Sequence, residues 1–446
     1  MNKWFKRSSA IVAGGVLLFG GNVLQAETLP EAVELVLKDN PQIQTASFNY
    51  QARQHEVRQA RSDYWPRVDF SAGVGIYEIQ EPEMDPDSYD PQEMTLSARW
   101  NLFAGGQTMN EVDRQQARVI SSSYDLQATA DRLALRTTKV YLDVLRHDAL
   151  HNLAQENLLT HQRISDQIGL RSDSGVASQA DSDQVRGRVS LAQSNVVVTK
   201  TNLIDAHSNY LAVVGHLPEN LMQIGSPGAV PASMEDAVMV AKTNHPGVKA
   251  AEADLEARRE QDSVAKSPFF PVIDVEVDKN WDEDVDGIEG KQENLTAMLR
   301  LRYNLFHGFR DKARKNETTL LISEAQEIKN NTVNQVEESV RLSWMAYQAV
   351  MDRMEYLQAH VRSSTSTLDA YKKQFDLGKR TLLDVLDTEA EVIDAKKDLV
   401  NATYDGLYAQ FRVLNGTGSL VPSMGLEWPE GVIVEEAVEQ VAEVQE

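Results

Sequence analysis

No cysteine occurs in the 446 residues, so neither disulfides nor a thiolate metal site holds this chain together, and no N-terminal cysteine is available for lipidation after export. Beyond residue 26 no segment reaches the ~20 consecutive apolar residues of a spanning helix. An inner-membrane helical protein is therefore not expected. Proline, 14 in all, is missing from 106–174 and from 308–377, which leaves two long stretches where nothing breaks a helix. Positive charge is scarce too. Forty-four Lys and Arg stand against 67 Asp and Glu, a formal charge of −23, so nucleic acid is not expected as a partner. Neither a phosphate loop nor a nucleophile elbow appears. His147 and His151 lie one helical turn apart, but Asp148 stands where a zinc-protease helix needs Glu and no third ligand follows, so they read as a surface helix. The chain is read as not an enzyme.

What is present begins with an export signal. Lys3, Lys6 and Arg7 precede "AIVAGGVLLFGG" and a small residue at Ala26, the pattern of a secretory signal peptide over residues 1–26. After it the chain repeats itself. Pro41 to Pro66 and Pro246 to Pro271 are both intervals of 25 residues, and Asn101 to Gly175 and Asn304 to Gly378 are both intervals of 74. Two units, 27–215 and 233–416, are joined by a linker, 216–232, and followed by an acidic tail, 417–446, read as disordered or as a short amphipathic helix near 432–444.

Each unit starts a helix at Asn40-Pro41 or His245-Pro246, stops it at Pro66 or Pro271, and then alternates polar and apolar residues. Val68, Phe70, Ala72 and Val74 alternate with Asp69, Ser71 and Gly73; Ile273, Val275 and Val277 alternate with Asp274, Glu276 and Asp278. The hairpins, about 67–103 and 272–306, supply four strands of roughly ten residues, the length that crosses a bilayer when tilted. Aromatic residues gather where they meet helix. Trp65, Trp100, Phe103, Phe269, Phe270, Tyr303 and Phe306 form the expected belt at one membrane interface. The phrase aromatic-Asn-Leu-Phe-x-Gly, at Trp100 and again at Tyr303, then marks a strand leaving the membrane and turning into helix.

The proline-free stretches predict helices on the order of 100 Å long. From Val333 to Phe375 apolar residues recur at a spacing averaging 3.5, the period of coiled-coil packing. The helices turn at tips about 171–181 and 376–387, where Gly175 and Gly378 suit a helix end and Ser178 with Asp181, and Thr381 with Asp384, form capping boxes with Asp in place of Glu. One short return helix and one Pro-started helix together nearly match a long one, which predicts a wall of two short helices beside each long helix.

The stretch "LGKRTLLDVLDTEAEVIDAKKDLVNATYDGLYAQFRVLNGTGSL" resembles the second tip and return helix of the TolC family of outer-membrane channel proteins. The remaining features resemble that family over essentially all of the mature chain. The resemblance implies a mainly α fold with a transmembrane β-barrel portion: a homotrimer with a 12-stranded barrel in outer-membrane lipid and a periplasmic tunnel of long helical hairpins closed at its tip. It also implies an inner-membrane pump and a periplasmic adaptor as partners. Independently, four strands cannot close a barrel and open edges are not tolerated in lipid, so oligomerisation is forced, with a dimer of eight strands also allowed. The favoured reading is a passive duct for proteins exported by an ABC transporter (type I) system. Small toxic compounds are the alternative cargo, and a periplasmic coiled-coil adaptor or structural protein is the alternative class.

By matching the tip motif, the resemblance places the periplasmic gate at Arg380, Phe375 in a position the family fills with Tyr, Asp181 as acidic partner, and Asp384 and Asp387 as a ring of carboxylates. Gly175, Ser178, Gly378 and Thr381 are the tip turns expected to meet the adaptor. No cofactor is expected apart from one candidate calcium loop. "DEDVDGIEGKQE" sets Asp282, Asp284, Asp286 and Glu293 at calcium-loop spacing, although strands rather than helices flank it. Otherwise it is a solvated acidic loop, like Glu81 to Asp90 in the first hairpin.

Overall fold

The computed structural model describes residues 26–79, 87–175, 177–228, 230–286 and 288–429. The signal segment, most of the Glu81 to Asp90 loop and the tail from residue 430 lie outside the described residues. The elements run α1 (Leu29–Asp39), α2 (Pro41–Ser62), β1 (Arg67–Val74), β2 (Tyr77–Ile79), β3 (Asp87–Tyr89), β4 (Gln92–Ala104), α3 (Gln107–Asp173) and α4 (Gln179–Val214). The second repeat gives α5 (Met234–Asn244), α6 (Pro246–Lys266), β5 (Val272–Glu283), β6 (Lys291–Arg302), α7 (Arg310–Asp376) and α8 (Leu382–Gly416), followed by the short α9 (Leu420–Ser423).

Both long helices, α3 and α7, have 67 residues, about 100 Å of rise. Along α3 lie α2 at one end and α4 at the other: Arg118 meets Glu56 at 2.8 Å, and His151 meets Thr199 at 3.1 Å. Helices α6 and α8 flank α7 in the same way. The caps explain the boundaries. The Asn40 side chain accepts from the Gln42 N–H, and His245 Nδ1 accepts from the Gly247 N–H, so the two repeats solve one N-terminus with two residue types.

The largest core lies at mid-height. There Leu29, Val33, Leu126, Leu133, Leu414 and Leu420 pack together. Tyr141 and Tyr210 are fully buried in it; the Tyr141 hydroxyl donates to the Glu27 and Met222 carbonyls, both at 2.8 Å, and that of Tyr210 to the Glu27 carboxylate at 2.8 Å. These bonds tie the start of the first unit to the linker. Helices α1 and α5 are absent from the sequence-derived elements. Each has only 11 residues, too short for periodicity to stand out, although Thr28 and Glu31 form a full capping box before α1.

The tail needs correction over its first part. Residues 417–429 are folded, because Leu420 and Val421 are fully buried and Met424, Leu426 and Trp428 pack against the same core. An acidic average concealed an apolar segment. The Val421 N–H donates to Asp131 Oδ1 at 3.2 Å, while Oδ2 of this carboxyl, 2% exposed, has no partner among the described residues.

Burial pushes the Asp131 carboxyl up to about 7. Its folded value lies above the unfolded one, so its full contribution to stability is present below about pH 4, is lost as pH rises to about 7, and stays lost above that. Asp131→Asn should therefore raise the unfolding free energy of the detergent-solubilised protein at pH 8 by up to about 4 kcal/mol, and with it the denaturation midpoint, and change little at pH 4. Equal midpoints of wild type and variant at pH 8 would refute this.

Candidate functional site

The four principal strands form one antiparallel sheet in the order β1-β4-β5-β6, leaving β1 and β6 as open edges. Its register sorts the two faces. Val68, Ala98, Val277 and Ala297 stand in one row, and Phe70, Leu96, Lys279 and Leu295 in another, on the apolar face. Leu295 and Leu299 on that face are 71% and 70% exposed. The opposite face is ionic. Arg300 donates to Glu276 at 2.7 Å, Arg302 bridges Glu276 and Asp274, and Asn101 donates to Asp274 at 2.8 Å. Apolar outside and polar inside is the requirement for a strand that separates lipid from water. On the apolar face Lys279 pairs with Glu293 at 2.9 Å beside Trp281, and Lys291, at the far end of β6, stands 3.8 Å from Glu283. No helix among the described residues is long and apolar enough to cross a membrane.

All seven belt aromatics lie at or near the ends of strands, and Trp65 is 76% exposed. The Trp100 indole donates to the Tyr64 carbonyl at 2.9 Å, tying strand to helix. The two copies of the repeated phrase differ in structure. The first stays in the sheet through a bulge between Asn101 and Phe103, because β4 is an interior strand with β5 beside it. The second leaves the sheet at Arg302, and the Asn304 side chain accepts from the Phe306 N–H. Its strand is an edge, held by β5 on one side and with no strand on the other among the described residues.

The residues of the calcium-loop pattern are placed by the strands. Strands β5 and β6 extend through Glu283 and from Lys291, so both ends of the twelve-residue pattern are in the ladder rather than in a loop. Asp282 pairs with Gln292 and Glu293 with Trp281, which puts these two carboxylates on opposite faces. Asp284 Oδ1 is taken by the Gly290 N–H at 2.7 Å. Among the described residues no group of three or more His, Cys, Asp or Glu side chains is placed to hold a metal. His147 is half-buried, and His151 is held between Thr199 and Gln155.

At the other end of the molecule, Gly175 and Gly378 take left-handed conformations, with φ of 73° and 70°, and Ser178 and Thr381 form reciprocal capping boxes with Asp181 and Asp384. The hydrogen bonds from Thr381 hold the Asp384 carboxyl below the usual carboxylate range. Arg380 lies over the Tyr371 ring, 4.1 Å from its centroid, donates to Gln374 at 3.0 Å, and stands 3.8 Å from Asp384. Phe375 has a different neighbour. It packs among Ile168, Val185, Leu382 and Leu386, with the Arg171 guanidinium 4.7 Å from its centroid.

Within one chain, then, Arg380 meets Tyr371 rather than Phe375, and Asp181 is occupied by its own cap. Asp387 pairs with Arg188 of α4 at 2.7 Å. Tyr371, Gln374, Arg171 and Arg188 were missing from the sequence-derived site. Tyr371 was visible only as one apolar position of the coiled coil, and Arg188 meets its partner across 199 residues of sequence. Just above, His161 of α3 is buried, with Glu389 of α8 nearby. Burial holds its imidazole below the usual histidine range, with the neighbouring Glu389 opposing and Arg188 and Lys372 adding to the effect.

The family model for outer membrane efflux proteins matches residues 32–216 and 238–419, one segment in each repeat. The outer membrane efflux protein BepC of Brucella suis is 23% identical over 432 residues, which cover 95% of this chain and 93% of that protein. The proteases secretion protein PrtF of Dickeya chrysanthemi is 21% identical over 441 residues, 93% of each chain. Among solved structures, the Campylobacter jejuni CmeC outer membrane channel superposes with a TM-score of 0.77 at 15% identity, covering 92% of this chain and 88% of its own.

Proposed function

The chain belongs to the outer membrane efflux protein family, and from that premise we propose that three copies form the outer-membrane duct of a tripartite export system. The observation that carries this is the sheet: four strands, apolar on one face and ionic on the other, with both edges open and long helices attached at one end. Four strands cannot enclose water in lipid, whereas three copies give twelve. The duct is passive. An inner-membrane pump drives the cargo, a periplasmic adaptor docks at the tip turns around Gly175, Ser178, Gly378 and Thr381, and the tip closes through Arg380 and the carboxylates of Asp181, Asp384 and Asp387.

The cargo we favour is protein, delivered by an ABC transporter. The relation to PrtF along the full chain supports this reading, as does the lack of any cysteine to carry a lipid anchor. BepC, named for efflux, represents the small-molecule alternative. Deleting the gene discriminates between them. Loss of specific extracellular proteins with unchanged drug susceptibility is the expected outcome; unchanged secretion with raised susceptibility would establish small compounds as the cargo.

A further inference from the structure

We propose that an anionic phospholipid headgroup occupies each seam between neighbouring protomers, at the level where strands give way to helices. The inference rests on the trimeric reading above. Helix α2 leads into β1, β6 leads into α7, and β1 and β6 are the open edges of the sheet. Pairing β6 of one copy with β1 of the next therefore sets the start of α7 beside the end of α2 of its neighbour.

Both of those ends are cationic. Helix α7 begins with exposed Arg310, Lys312, Arg314 and Lys315, and α2 ends with exposed Arg58 and Arg61. Of these six, only Arg314 makes an ion pair among the described residues, with Glu317 at 2.8 Å. The imbalance is local. Residues 53–67, 105–118, 258–271 and 303–318, the helix ends beneath the sheet and their junctions, hold thirteen Lys and Arg against eight Asp and Glu, in a chain whose formal charge is −23. A seam that brings unpaired cations against unpaired cations is repulsive unless an anion lies between them.

The aromatic belt identifies that anion. Phe306 and Phe309 precede Arg310 directly, and Trp65 follows Arg61 by four residues, all exposed at the membrane interface. The abundant anions at that depth are lipid phosphates, whose oxygens match the donor fork of arginine. Beside the seam, at the foot of β6, a cavity of about 470 Å³ is lined on one side by Pro268, Phe270, Val272 and Tyr303 and on the other by Arg302, Asn304 and His307. Its apolar side offers a surface to the acyl chains below such a phosphate, and Arg302 adds a further cation.

Native mass spectrometry of the trimer in non-ionic detergent with equal phosphatidylglycerol and phosphatidylcholine tests the proposal. Wild type should retain up to three phosphatidylglycerol molecules in preference to phosphatidylcholine. The triple variant Arg310→Gln, Lys312→Gln, Lys315→Gln should lose about fivefold in that preference for each charge removed, while Lys312→Arg with Lys315→Arg keeps it. Intact wild-type trimers that hold both lipids equally, or a triple variant with undiminished preference, would overturn the lipid site and leave the assembly standing. Finding only monomers would overturn the assembly, and the seam with it.

Discussion

Gly105→Ala should stop the protein from reaching its assembled form, whereas Gly308→Ala, at the matching position of the second repeat, should leave assembly intact. Both glycines are left-handed, with φ of +63° and +58°, so each alanine costs about 1–2 kcal/mol in backbone strain. Their surroundings differ. A Cβ on Gly105 would stand 2.7 Å from the Ser267 carbonyl oxygen and 2.8 Å from Phe270 Cβ, whereas one on Gly308 meets nothing within 4 Å. The first contact involves backbone on a neighbouring element and cannot be relieved by a rotamer change. It displaces the junction between β4 and α3 from the turn before β5 and adds about 1–3 kcal/mol of overpacking. Heat-modifiable migration of outer-membrane fractions would report this, with Gly105→Ala giving only the heat-denatured form and Gly308→Ala migrating as wild type. Equal behaviour of the two variants would show that the junction yields.

That asymmetry also shows how far the sequence could be read. Repeated intervals and proline placement are enough for the order of the longer helices and the principal strands, since they depend on local chemistry: Pro41 and Pro246 start helices and Gly175 and Gly378 end them. What two similar phrases do depends on what lies beside them. Trp100 to Phe103 has β5 paired beside it, while Tyr303 to Phe306 has no paired strand among the described residues. The residues of the calcium-loop pattern are held apart for a related reason. Spacing places ligands correctly only around a loop, and here the ladder reaches Glu283 and resumes at Lys291. At the tip, Ser178, Thr381 and their aspartates were legible as caps because all partners lie within three residues. Arg188 with Asp387, and Arg171 with Phe375, join different hairpins, and no local pattern announces such pairs.

Those cross-hairpin contacts sharpen what should happen when the proposed gate is altered. Arg380→Ser removes a guanidinium that lies over Tyr371 and donates to Gln374. An exposed cation–π contact contributes about 0.5–1 kcal/mol and a hydrogen bond about 1 kcal/mol. Over three copies these contacts amount to roughly 5 kcal/mol, and the part made by the closed tip alone shifts the population of a two-state gate. Single-channel conductance in planar bilayers should therefore rise several-fold in Arg380→Ser. Tyr371→Phe should change it little, because the ring face remains. The carboxylates act separately. Asp384 is held ionised by its cap, and Asp387 is partly neutralised by Arg188 of its own chain. Multivalent cations added from the periplasmic side should block the wild type, block Arg188→Gln at lower concentration because Asp387 is freed, and fail to block Asp384→Ala with Asp387→Ala. If Arg188→Gln weakened the block, Asp387 would need its arginine to hold position, and the acidic ring would act through that pair rather than as free charge. If Arg380→Ser left conductance unchanged, the contacts of Arg380 would not be what holds the tip closed.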